Sequence, residues 1–438
     1  MRLLLGFDLG TSYLKAGLFS PEGELRGLGR VRVTTDTPSP GRVELPAERL
    51  HSLLRSGLDE ALRAAGACAS DIAGVSYSSQ ATTFLLLDAS DRPLTPLVMW
   101  PDIRGAPIEP EAAAFGASPE FHRRVGHSGF ADESVVPKLH WFRRERPTIW
   151  AQAARVMTIS DYLTFLLTGQ RMGDASTAAF LGLQDLQSSG WWPEAFANLG
   201  LDVAKFSGLL APGAACGRTG AAANKLLGVA EGVPFAVGAL DHHAAAVGAG
   251  LGSLAEVSVS TGTVLAALAL VDRIEPVPGC YHGPHADGRR YYRLAFEADG
   301  ARKLEVYHRR FAPGKTLEEL LAAAEKARRE GNQDPIDVGV LEILTSASRA
   351  HAGVVAQVMG SRRIARVAAT GGGARSDLWL RLKAEALGAT VVRPAVAEAA
   401  CLGAAIFAAA AAGIHPSIAA AAAAMVRSAG EFSPVPGS

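Results

Sequence analysis

The segment LLLGFDLGTSYLKAGLF, residues 3–19, determines the fold class of this chain. Apolar residues alternate in its first half, Gly10-Thr11-Ser12 interrupts the pattern, and the alternation then resumes. Alternation with a period of two on both sides of a short polar turn predicts two strands of a hairpin. A similar segment, AEVSVSTGTVLAALAL (residues 255–270), turns at Thr261-Gly262-Thr263. The repetition indicates a duplicated domain.

The regions that follow the two hairpins also correspond. Residues 71–88 form a predicted strand with a polar turn, and residues 364–379 form a predicted strand with a glycine turn. Thr316-Leu317-Glu318-Glu319 is a capping box and predicts the start of a helix. Ser376 is a predicted cap for a helix from Asp377 to Leu387. Strands that alternate with helices in both halves predict an α/β fold, with a boundary near residues 250–253.

The composition excludes several classes of function. The chain has 438 residues, 48% of them apolar, and its 43 basic and 43 acidic residues give a net charge of zero. This balance provides no electrostatic footprint for nucleic acid or an anionic membrane. The alanine run Ala419–Ala424 is too short to span a membrane and predicts a C-terminal helix. Four cysteines without a Cys-x-x-Cys pair favour a reduced, cytoplasmic protein. From the charge balance and the short apolar runs we expect no nucleic-acid or membrane partner.

Two aspartates follow predicted strands. Asp8 precedes the Gly10-Thr11-Ser12 turn, where a carboxylate can hold a cation and backbone N–H groups can bind phosphate. The alternative is an ordinary hairpin turn with a solvated aspartate. Asp241 lies between the strand at 233–237 and an Ala/Gly-rich helix, a good position for a general base. The alternative is an aspartate that only stabilises the helix dipole.

A third candidate is the glycine run Gly371–Gly373. Three glycines after a strand allow a ligand to approach the backbone closely. The alternative is a tight turn from strand to helix, and local physics does not separate the two.

Gly314-Lys315-Thr316 resembles the end of a P-loop, but position 309 is Arg where that motif needs Gly. A zinc site at Cys280, His282 and His285 lacks a second group of ligands.

Taken together, these segments resemble the FGGY carbohydrate kinases, which belong to the actin/hexokinase/Hsp70 ATPase superfamily. The resemblance extends over nearly the whole chain, and the shared order of its motifs makes it specific. The matching segments are GFDLGTS (6–12) with Lys15, WPDIR (100–104), PKLHW (137–141), DYL (161–163) through LTG (167–169) and DAS (174–176), GALD (238–241) followed by GAG (248–250), STGT (260–263), GGGARS (371–376) and EAACLGAA (398–405).

The resemblance implies two ribonuclease-H-like, actin-like ATPase domains with a central cleft. The N-terminal domain, residues 1–251, would bind the sugar, and the C-terminal domain, residues 252–438, would bind the nucleotide. The implied partners are ATP and a small sugar or polyol, with Mg²⁺ as the cofactor. A homodimer is a candidate assembly.

The resemblance also implies roles for single residues. Asp241 would take the proton from a sugar hydroxyl, and Asp8 would organise Mg²⁺. The implied ligands of phosphate and ATP are Gly10, Thr11, Ser12, Lys15, Thr261, Gly262, Thr263, Gly372, Gly373 and Ser376. The implied sugar-binding residues are Gln80, Trp100, Asp102, Arg104 and Asp241.

The chain departs from the family pattern in two places. At the sugar-recognition turn, Gln80-Ala81-Thr82 replaces the Gln-Arg-Glu of glycerol kinases and the Gln-Met-His-Gly of xylulokinases. Between Thr263 and Gly371 the stretch is short and lacks a Gly-Glu-Arg-x-Pro loop. Phosphorylation of a ketopentose or ketohexose such as xylulose or ribulose is the leading hypothesis. The alternatives are a catalytically idle sugar or nucleotide sensor and, disfavoured by residues 100–104, an actin-like filament or chaperone ATPase.

Overall fold

The computed structural model describes residues 2–262, 264–298, 300, 302–331 and 334–434. The strands are β1 (Leu3–Leu9), β2 (Tyr13–Phe19), β3 (Leu25–Arg32), β4 (Glu44–Leu45), β5 (Ile72–Ser79), β6 (Phe84–Leu87), β7 (Leu97–Val98), β8 (Arg155–Thr158), β9 (Met172–Asp174), β10 (Gln184–Asp185), β11 (Gly190–Trp191), β12 (Gly208–Leu210), β13 (Ala215–Arg218), β14 (Pro234–Ala236), β15 (Ala239–Leu240), β16 (Val257–Thr261), β17 (Leu265–Val271), β18 (Cys280–Pro284), β19 (Tyr291–Glu297), β20 (Arg366–Gly371), β21 (Thr390–Pro394) and β22 (Ser428–Phe432). The α-helices are α1 (Ala47–Ala65), α2 (Pro110–Gly116), α3 (Pro119–Val125), α4 (Val135–Glu145), α5 (Pro147–Gln152), α6 (Ile159–Thr168), α7 (Ala175–Ala178), α8 (Pro193–Asn198), α9 (Ala221–Leu227), α10 (Asp241–Gly248), α11 (Arg302–Phe311), α12 (Leu317–Glu330), α13 (Pro335–Met359), α14 (Asp377–Leu387), α15 (Ala399–Ala411) and α16 (Ile418–Met425).

The chain divides into two compact units. The first unit consists of Met1–Gly248, Val271–Tyr292 and Ala400–Met425, and the second consists of Ala249–Leu270, Arg293–Ala399 and Val426–Ser438. The domain ranges expected from the sequence, 1–251 and 252–438, stay a prediction.

The main sheet of the first unit has the strand order β13-β14-β5-β1-β2-β3, and β15 also pairs with β5. The β1/β2 and β2/β3 pairs are antiparallel, whereas β5 runs parallel to β1. The hairpin predicted from residues 3–19 is therefore confirmed. The hairpin lies in the middle of the sheet, and β5, the strand predicted within residues 71–88, pairs with β1 in parallel.

Strands of the second unit repeat this arrangement. They follow the order β19-β17-β16-β20-β21-β22, with β16 antiparallel to β17 and parallel to β20. The hairpin β16/β17 thus corresponds to β1/β2, and β20 corresponds to β5. The duplication inferred from the two hairpin segments is present in the topology, and the α/β fold class is confirmed.

Buried apolar side chains join the first sheet to its covering helix. Leu5 and Phe7 of β1 and Leu54 and Leu58 of α1 are all fully buried in one apolar cluster. Burial of such a side chain contributes roughly 1.5–3 kcal/mol. Strand β1, which carries Asp8 near its end, is therefore fixed by hydrogen bonds to β2 and β5 and by the burial of its apolar side chains.

The predicted helix termini are also confirmed. Thr316 and Glu319 form the reciprocal capping box at the start of α12. The hydroxyl of Ser376 accepts a hydrogen bond from the backbone N–H of Trp379 (3.2 Å), and α14 ends at Gly388 in the left-handed conformation. The alanine run predicted as a C-terminal helix lies in α16.

The small residues of α15 allow this helix to pack closely against its neighbours. A Cβ on Gly403 would lie 1.9 Å from the carbonyl oxygen of Ala244 in α10, and a Cβ on Gly6 would lie 2.1 Å from that of Cys401. Such distances leave no room for a side chain. Helix α15 can therefore approach both β1 and α10 only because glycine occupies these positions.

Among the described residues, no helix is long and apolar enough to cross a bilayer.

Two helical glycines provide a matched test of this packing. We expect Gly403→Ala to destabilise the protein by about 2 kcal/mol or more, because its methyl group must displace a backbone carbonyl. Gly353→Ala lies in α13 with nothing within 4 Å of the new methyl group, and we expect it to stabilise the protein by about 0.5–1 kcal/mol. Thermal melts of both variants measure the difference. Equal melting temperatures would contradict the packing model.

Candidate active site

Three parallel strands of the first unit end at the same edge. Asp8 of β1 is in register with Ser78 of β5, and Ala239 of β15 is in register with the same Ser78 from the other side. Asp241 follows β15 directly and is the first residue of α10. The carboxyl ends of these strands therefore bring Asp8 and Asp241 to one region, although 233 positions separate them in the sequence.

The carboxylate of Asp8 is buried and has two polar partners. The Ser78 hydroxyl donates a hydrogen bond to its Oδ1 (3.2 Å), and the Lys15 ammonium lies 3.4 Å from its Oδ2. Lys15 reaches it from the cross-strand position of the β1/β2 hairpin. Burial raises the pKa of Asp8, Lys15 opposes this shift, and the charge of Asp241 adds to it. The site thus concentrates negative charge.

A buried hydrogen-bond chain holds the segment before Asp241. The Tyr77 hydroxyl donates to Oδ2 of Asp174 (3.1 Å), and the Ser176 hydroxyl donates to Oδ1 (2.6 Å). The backbone N–H of Leu240 then donates to the Ser176 hydroxyl (3.0 Å). Burial raises the pKa of Asp174. These hydrogen bonds fix the backbone one residue before Asp241. Sequence patterns do not reveal them, because the bonded residues are far apart in the sequence.

In the first unit, hydrogen bonds connect a residue predicted to bind phosphate, Thr11, with two residues predicted to bind the sugar, Trp100 and Gln80. The indole N–H of Trp100 donates to the Thr11 hydroxyl (2.7 Å), which in turn donates to Oε1 of Gln80 (3.4 Å). Gln80 Nε2 donates to the carbonyl of Leu9 (3.1 Å). Trp100 is 41% exposed, so part of the residue is accessible to a ligand while its indole N–H is held.

The turn after Gln80 has an uncommon backbone. Thr82 has a φ of 58°, in the left-handed region that β-branched residues rarely adopt. The Thr83 hydroxyl, next along the chain, donates to Gln80 Oε1 (2.9 Å) and accepts from the backbone N–H of Trp100 (2.9 Å). Strain of this kind often lies at binding sites. Sequence patterns gave no signal for it.

Asp102 and Arg104 bind each other. The guanidinium donates from Nε to Oδ1 (2.9 Å) and from Nη2 to Oδ2 (2.8 Å), and Nη2 also donates to Glu44 (2.7 Å). The backbone N–H of Val43 donates to the same carboxylate (2.8 Å). Burial raises the pKa of Asp102, but the bonds from Arg104 and Val43 outweigh it and hold the pKa below its ordinary value. This geometry fits residues that fix the Trp100 loop.

Lys138 supports the same loop from within the first unit. Its fully buried ammonium donates to the carbonyls of Met99 (3.1 Å) and Trp100 (3.0 Å). Burial lowers its pKa to about 7. Lys138 belongs to the PKLHW motif, and its contacts give that motif a physical role, namely to hold the backbone at Trp100.

A buried histidine pair begins two residues after Asp241 on α10. His243 Nε2 and His285 Nδ1 are 2.7 Å apart, so one of them donates to the other. Burial lowers the pKa of His243 well below its ordinary value and lowers that of His285 to about 4. Both rings are therefore neutral near pH 7, and the pair attaches the first turn of α10 to the segment after β18.

In the second unit, Thr261 brings two predicted motifs together. It ends β16 and is fully buried. A Cβ on Gly371 would lie 2.5 Å from its carbonyl oxygen, and a Cβ on Gly373 would lie 2.7 Å from its Cγ2. Two of the three glycines are therefore required by packing on Thr261. Gly372 is exposed and its added Cβ would meet only ordinary contacts, so a ligand can approach there. Thr263 lies outside the described residues.

The glycine turn borders a cavity of about 290 Å³ within the second unit. Its lining residues are Ala369, Thr370, Gly371, Ala374, Arg375, Arg393, Pro394, Ala395, Val396, Ala397 and Ala429. Arg393 donates to the carbonyl of Ala374 (2.8 Å) and pairs with Asp377. The cavity combines small apolar residues with the exposed Arg375, which suits a flat aromatic group beside negative charge.

The remaining predicted ligands lie at turns or helix ends. Gly10 is at the β1/β2 turn, where an added Cβ would lie 2.5 Å from the carbonyl oxygen of Tyr13. Ser12 is exposed at the same turn, and Gly262 is exposed at the β16/β17 turn. Ser376 caps α14 with its hydroxyl. The first unit therefore groups Asp8, Asp241 and the Trp100 loop, and the second groups Thr261 with the glycine turn.

Two units with one strand order, each with a polar turn after its first strand, define the actin-like ATPase class of fold. The model for the N-terminal domain of the FGGY family of carbohydrate kinases matches residues 3–248, and the C-terminal domain model matches residues 338–412. The chain belongs to the FGGY family of carbohydrate kinases, enzymes that transfer a phosphoryl group to a sugar.

Individual relatives share low identity with the chain. A xylulose kinase of Lactococcus lactis is 27% identical over 333 residues, which span 74% of this chain and 64% of that protein. A gluconokinase of Bacillus licheniformis is 26% identical over 451 residues, 92% of this chain and 86% of that protein. The structure of a xylulose kinase from Lactobacillus acidophilus covers 100% of this chain and 94% of its own, with a TM-score of 0.87 at 18% identity. That last likeness shows the fold alone.

We expect the free energy of unfolding to fall as the pH decreases from 6.5 towards 5. Between those values the unfolded chain binds protons at His285 and the folded protein does not, since its folded pKa is about 4. The loss attributable to His285 should be about 1–2 kcal/mol at pH 5. Urea unfolding at several pH values measures it.

His285→Gln should reduce this pH dependence, whereas His308→Gln, on α11 and outside the pair, should leave it unchanged. An identical pH dependence in wild type and His285→Gln would contradict this assignment, because it would show that His285 binds protons equally well in the folded and unfolded states.

Proposed function

We propose that this protein transfers the terminal phosphoryl group of ATP to a hydroxyl of a ketopentose or ketohexose, such as xylulose or ribulose. The observation that carries the proposal is the arrangement of Asp8 and Asp241 at the carboxyl ends of two parallel strands that flank β5, with their charges interacting. Phosphoryl transfer needs positioning and charge stabilisation more than covalent participation by the protein. Two carboxylates with different surroundings can divide the tasks of proton acceptor and cation ligand.

Asp241 is the proposed general base. It is partly exposed at the start of α10, whereas Asp8 is buried. A base must touch the acceptor hydroxyl, and the exposed carboxylate is the one that a ligand can reach. The buried chain through Ser176 restrains the preceding backbone, so the base enters the reaction already oriented. It accepts the hydroxyl proton as the oxygen attacks phosphorus.

Asp8 is the proposed ligand of Mg²⁺. Its buried carboxylate has a raised pKa and a like charge nearby, and a divalent cation would offset both. Carboxylate oxygens are ligands that Mg²⁺ prefers, and the ion typically uses only one or two of them together with phosphate oxygens. The residues present therefore fit this ion. When bound, it would neutralise charge on the phosphates, while Lys15 and Ser78 orient the carboxylate.

Trp100, Gln80 and Thr11 are the proposed sugar-side residues. The exposed indole offers an apolar face to the C–H surface of a sugar, and Gln80 and Thr11 offer polar groups beside it. Asp102 and Arg104 are proposed to act by holding this loop, because their bonds are directed at each other. Relatives named for xylulose and for gluconate are similarly distant and do not decide between these acceptors. The turn Gln80-Ala81-Thr82 carries no cation for a carboxylate, which favours a neutral sugar over gluconate.

The nucleotide is proposed to bind the second unit. Exposed Gly372 and the cavity beside the glycine turn support adenosine binding there, with Gly373 and Ser376 shaping the turn. The β16/β17 turn, with Thr261 and Gly262, is the proposed phosphate contact of this unit. In the first unit, Gly10, Ser12 and Lys15 are the proposed phosphate contacts.

Asp241→Asn should lower kcat by roughly 10²–10⁴-fold, the usual contribution of a general base, with little change in ADP affinity. An ADP-release assay over ketopentoses, ketohexoses, polyols and gluconate, together with calorimetry for ADP, measures both quantities. Asp59→Asn, an exposed position on α1, is the control and should keep full activity.

Full turnover by Asp241→Asn would remove Asp241 as the base. Absence of ADP release from wild type with every acceptor in the panel would refute the proposed kinase reaction.

Trp100→Ala should raise the KM for the sugar about tenfold, equivalent to about 1.4 kcal/mol of lost contact, and leave the KM for ATP unchanged. Trp100→Phe keeps an aromatic face but loses the N–H donor to Thr11, so its effect should be smaller. Val203→Ala, an exposed apolar position of the first unit, is the control. Equal effects on the two KM values would argue against a specific role at the sugar.

A further inference from the structure

Lys383 is a fully buried lysine in the second unit that the roles above do not use. It lies on α14, four residues after Trp379, and residues four apart share one face of a helix. Its ammonium donates a hydrogen bond to the hydroxyl of Thr261 and lies 5.3 Å from the centre of the Trp379 ring. Burial of a lysine ammonium on the apolar face of a helix is costly unless the charge is paired and hydrogen-bonded.

The neighbours of Lys383 do not neutralise it. In the part of the chain that the structure describes, its recorded hydrogen bond goes to a hydroxyl and none goes to a carboxylate. Asp337, near the start of α13, is buried, and its Oδ1 has no hydrogen-bond partner within the described residues. Other carboxylates and cations on the elements around α14 form ion pairs. These pairs are Arg393 with Asp377, Arg328 with Glu385, Arg381 with Glu325, and Arg366 with Glu431. Arg375, on the glycine turn, is exposed.

His351 of α13 is the titratable side chain whose charge couples to that of Lys383. Its Nε2 interacts with the carbonyl of Ala266 (2.9 Å), and burial, with a smaller contribution from Lys383, lowers its pKa to about 3. His351 is therefore neutral at working pH and contributes no charge. Burial alone lowers the pKa of Lys383 to about 7.

The position of this ammonium coincides with the point where two motifs meet. Thr261 carries the β16/β17 turn, and Gly371 and Gly373 pack on the same residue. A positive charge in a low-dielectric interior acts on an anion more strongly than a charge in water. Any phosphate held by the Thr261-Gly262 turn would lie close to it.

We propose that Lys383 is a positioning residue that increases the affinity of the second unit for nucleotide phosphates, both by fixing Thr261 and by placing a positive charge behind its turn. This inference rests on the proposed function, because it assumes that the second unit binds the nucleotide. It assigns a phosphate-recognition role to a residue that no phosphate touches directly. Adenosine, which lacks phosphates, should not sense it.

The test compares wild type with Lys383→Met, which keeps the length of the side chain and removes its charge. We expect Lys383→Met to bind ADP about tenfold more weakly at pH 6.5 and to bind adenosine as wild type does. We also expect its melting temperature to be equal or higher, because a buried charge without a carboxylate partner is removed. A residue that only maintains the fold would show the opposite change in stability.

Proton uptake provides a second readout. ADP binding to wild type at pH 8 should take up protons that Lys383→Met does not take up, because the bound phosphates favour the ammonium form. Calorimetry in Tris and in HEPES, whose ionisation enthalpies differ, measures this uptake. The two proteins receive the same ADP, so the ligand's own titration cancels in the difference. Lys383→Arg, which retains a positive charge, should keep most of the ADP affinity.

Equal ADP affinity and equal proton uptake in wild type and Lys383→Met would overturn the role of Lys383 while leaving nucleotide binding intact. Failure of wild type to bind ADP or ATP at all would overturn both this inference and the proposed function. The two failures are thus distinguished by the behaviour of the wild-type protein.

Discussion

The hydrogen-bonded register of β1, β5 and β15 is the constraint on which the candidate site depends. A shift of one residue in a strand turns every side chain to the opposite face, so the pairing of Asp8 with Ser78 and of Ser78 with Ala239 must be held. The approach of β15 to β5 is close. A Cβ on Gly238 would lie 1.8 Å from the carbonyl oxygen of Tyr77. Asp241 therefore reaches its position only because residue 238 is a glycine, which has no Cβ.

Buried polar groups then fix the loops that this register leaves free. Asp102 and Arg104 satisfy each other, Lys138 is satisfied by two carbonyls, and Ser176 links Asp174 to Leu240. Each group would cost roughly 1–3 kcal/mol if it were left without a partner. The loops can consequently adopt few alternative conformations, since any change would break several of these bonds at once. Such a site is ordered before a ligand arrives.

The sequence predicted those features that depend on neighbouring residues. The β1/β2 and β16/β17 hairpins, the Thr316 capping box and the Ser376 cap all follow from periodicity or spacing within a few positions. The family motifs pointed to the two aspartates, but the register that aligns their strands was visible only after folding. Sequence reasoning assigned Asp102 and Arg104 to the sugar, and that assignment stays a prediction, but it could not foresee that the two side chains bond to each other.

The contacts that sequence reasoning missed join residues that are far apart along the chain. Thr11 and Trp100 are 89 residues apart, and Lys383 and Thr261 are 122 residues apart. For Lys383 a signal did exist, since a charged residue four positions after Trp379 interrupts the apolar face of α14. Spacing can identify such an interruption, but it cannot say whether the charge is neutralised by a carboxylate or directed at a binding turn. Only its burial against Thr261 separates these cases, because the hydroxyl leaves the charge uncompensated. A buried ammonium that faces a hydroxyl instead of a carboxylate keeps its charge available to an anion, which is why we place an anionic ligand on the other side of the turn.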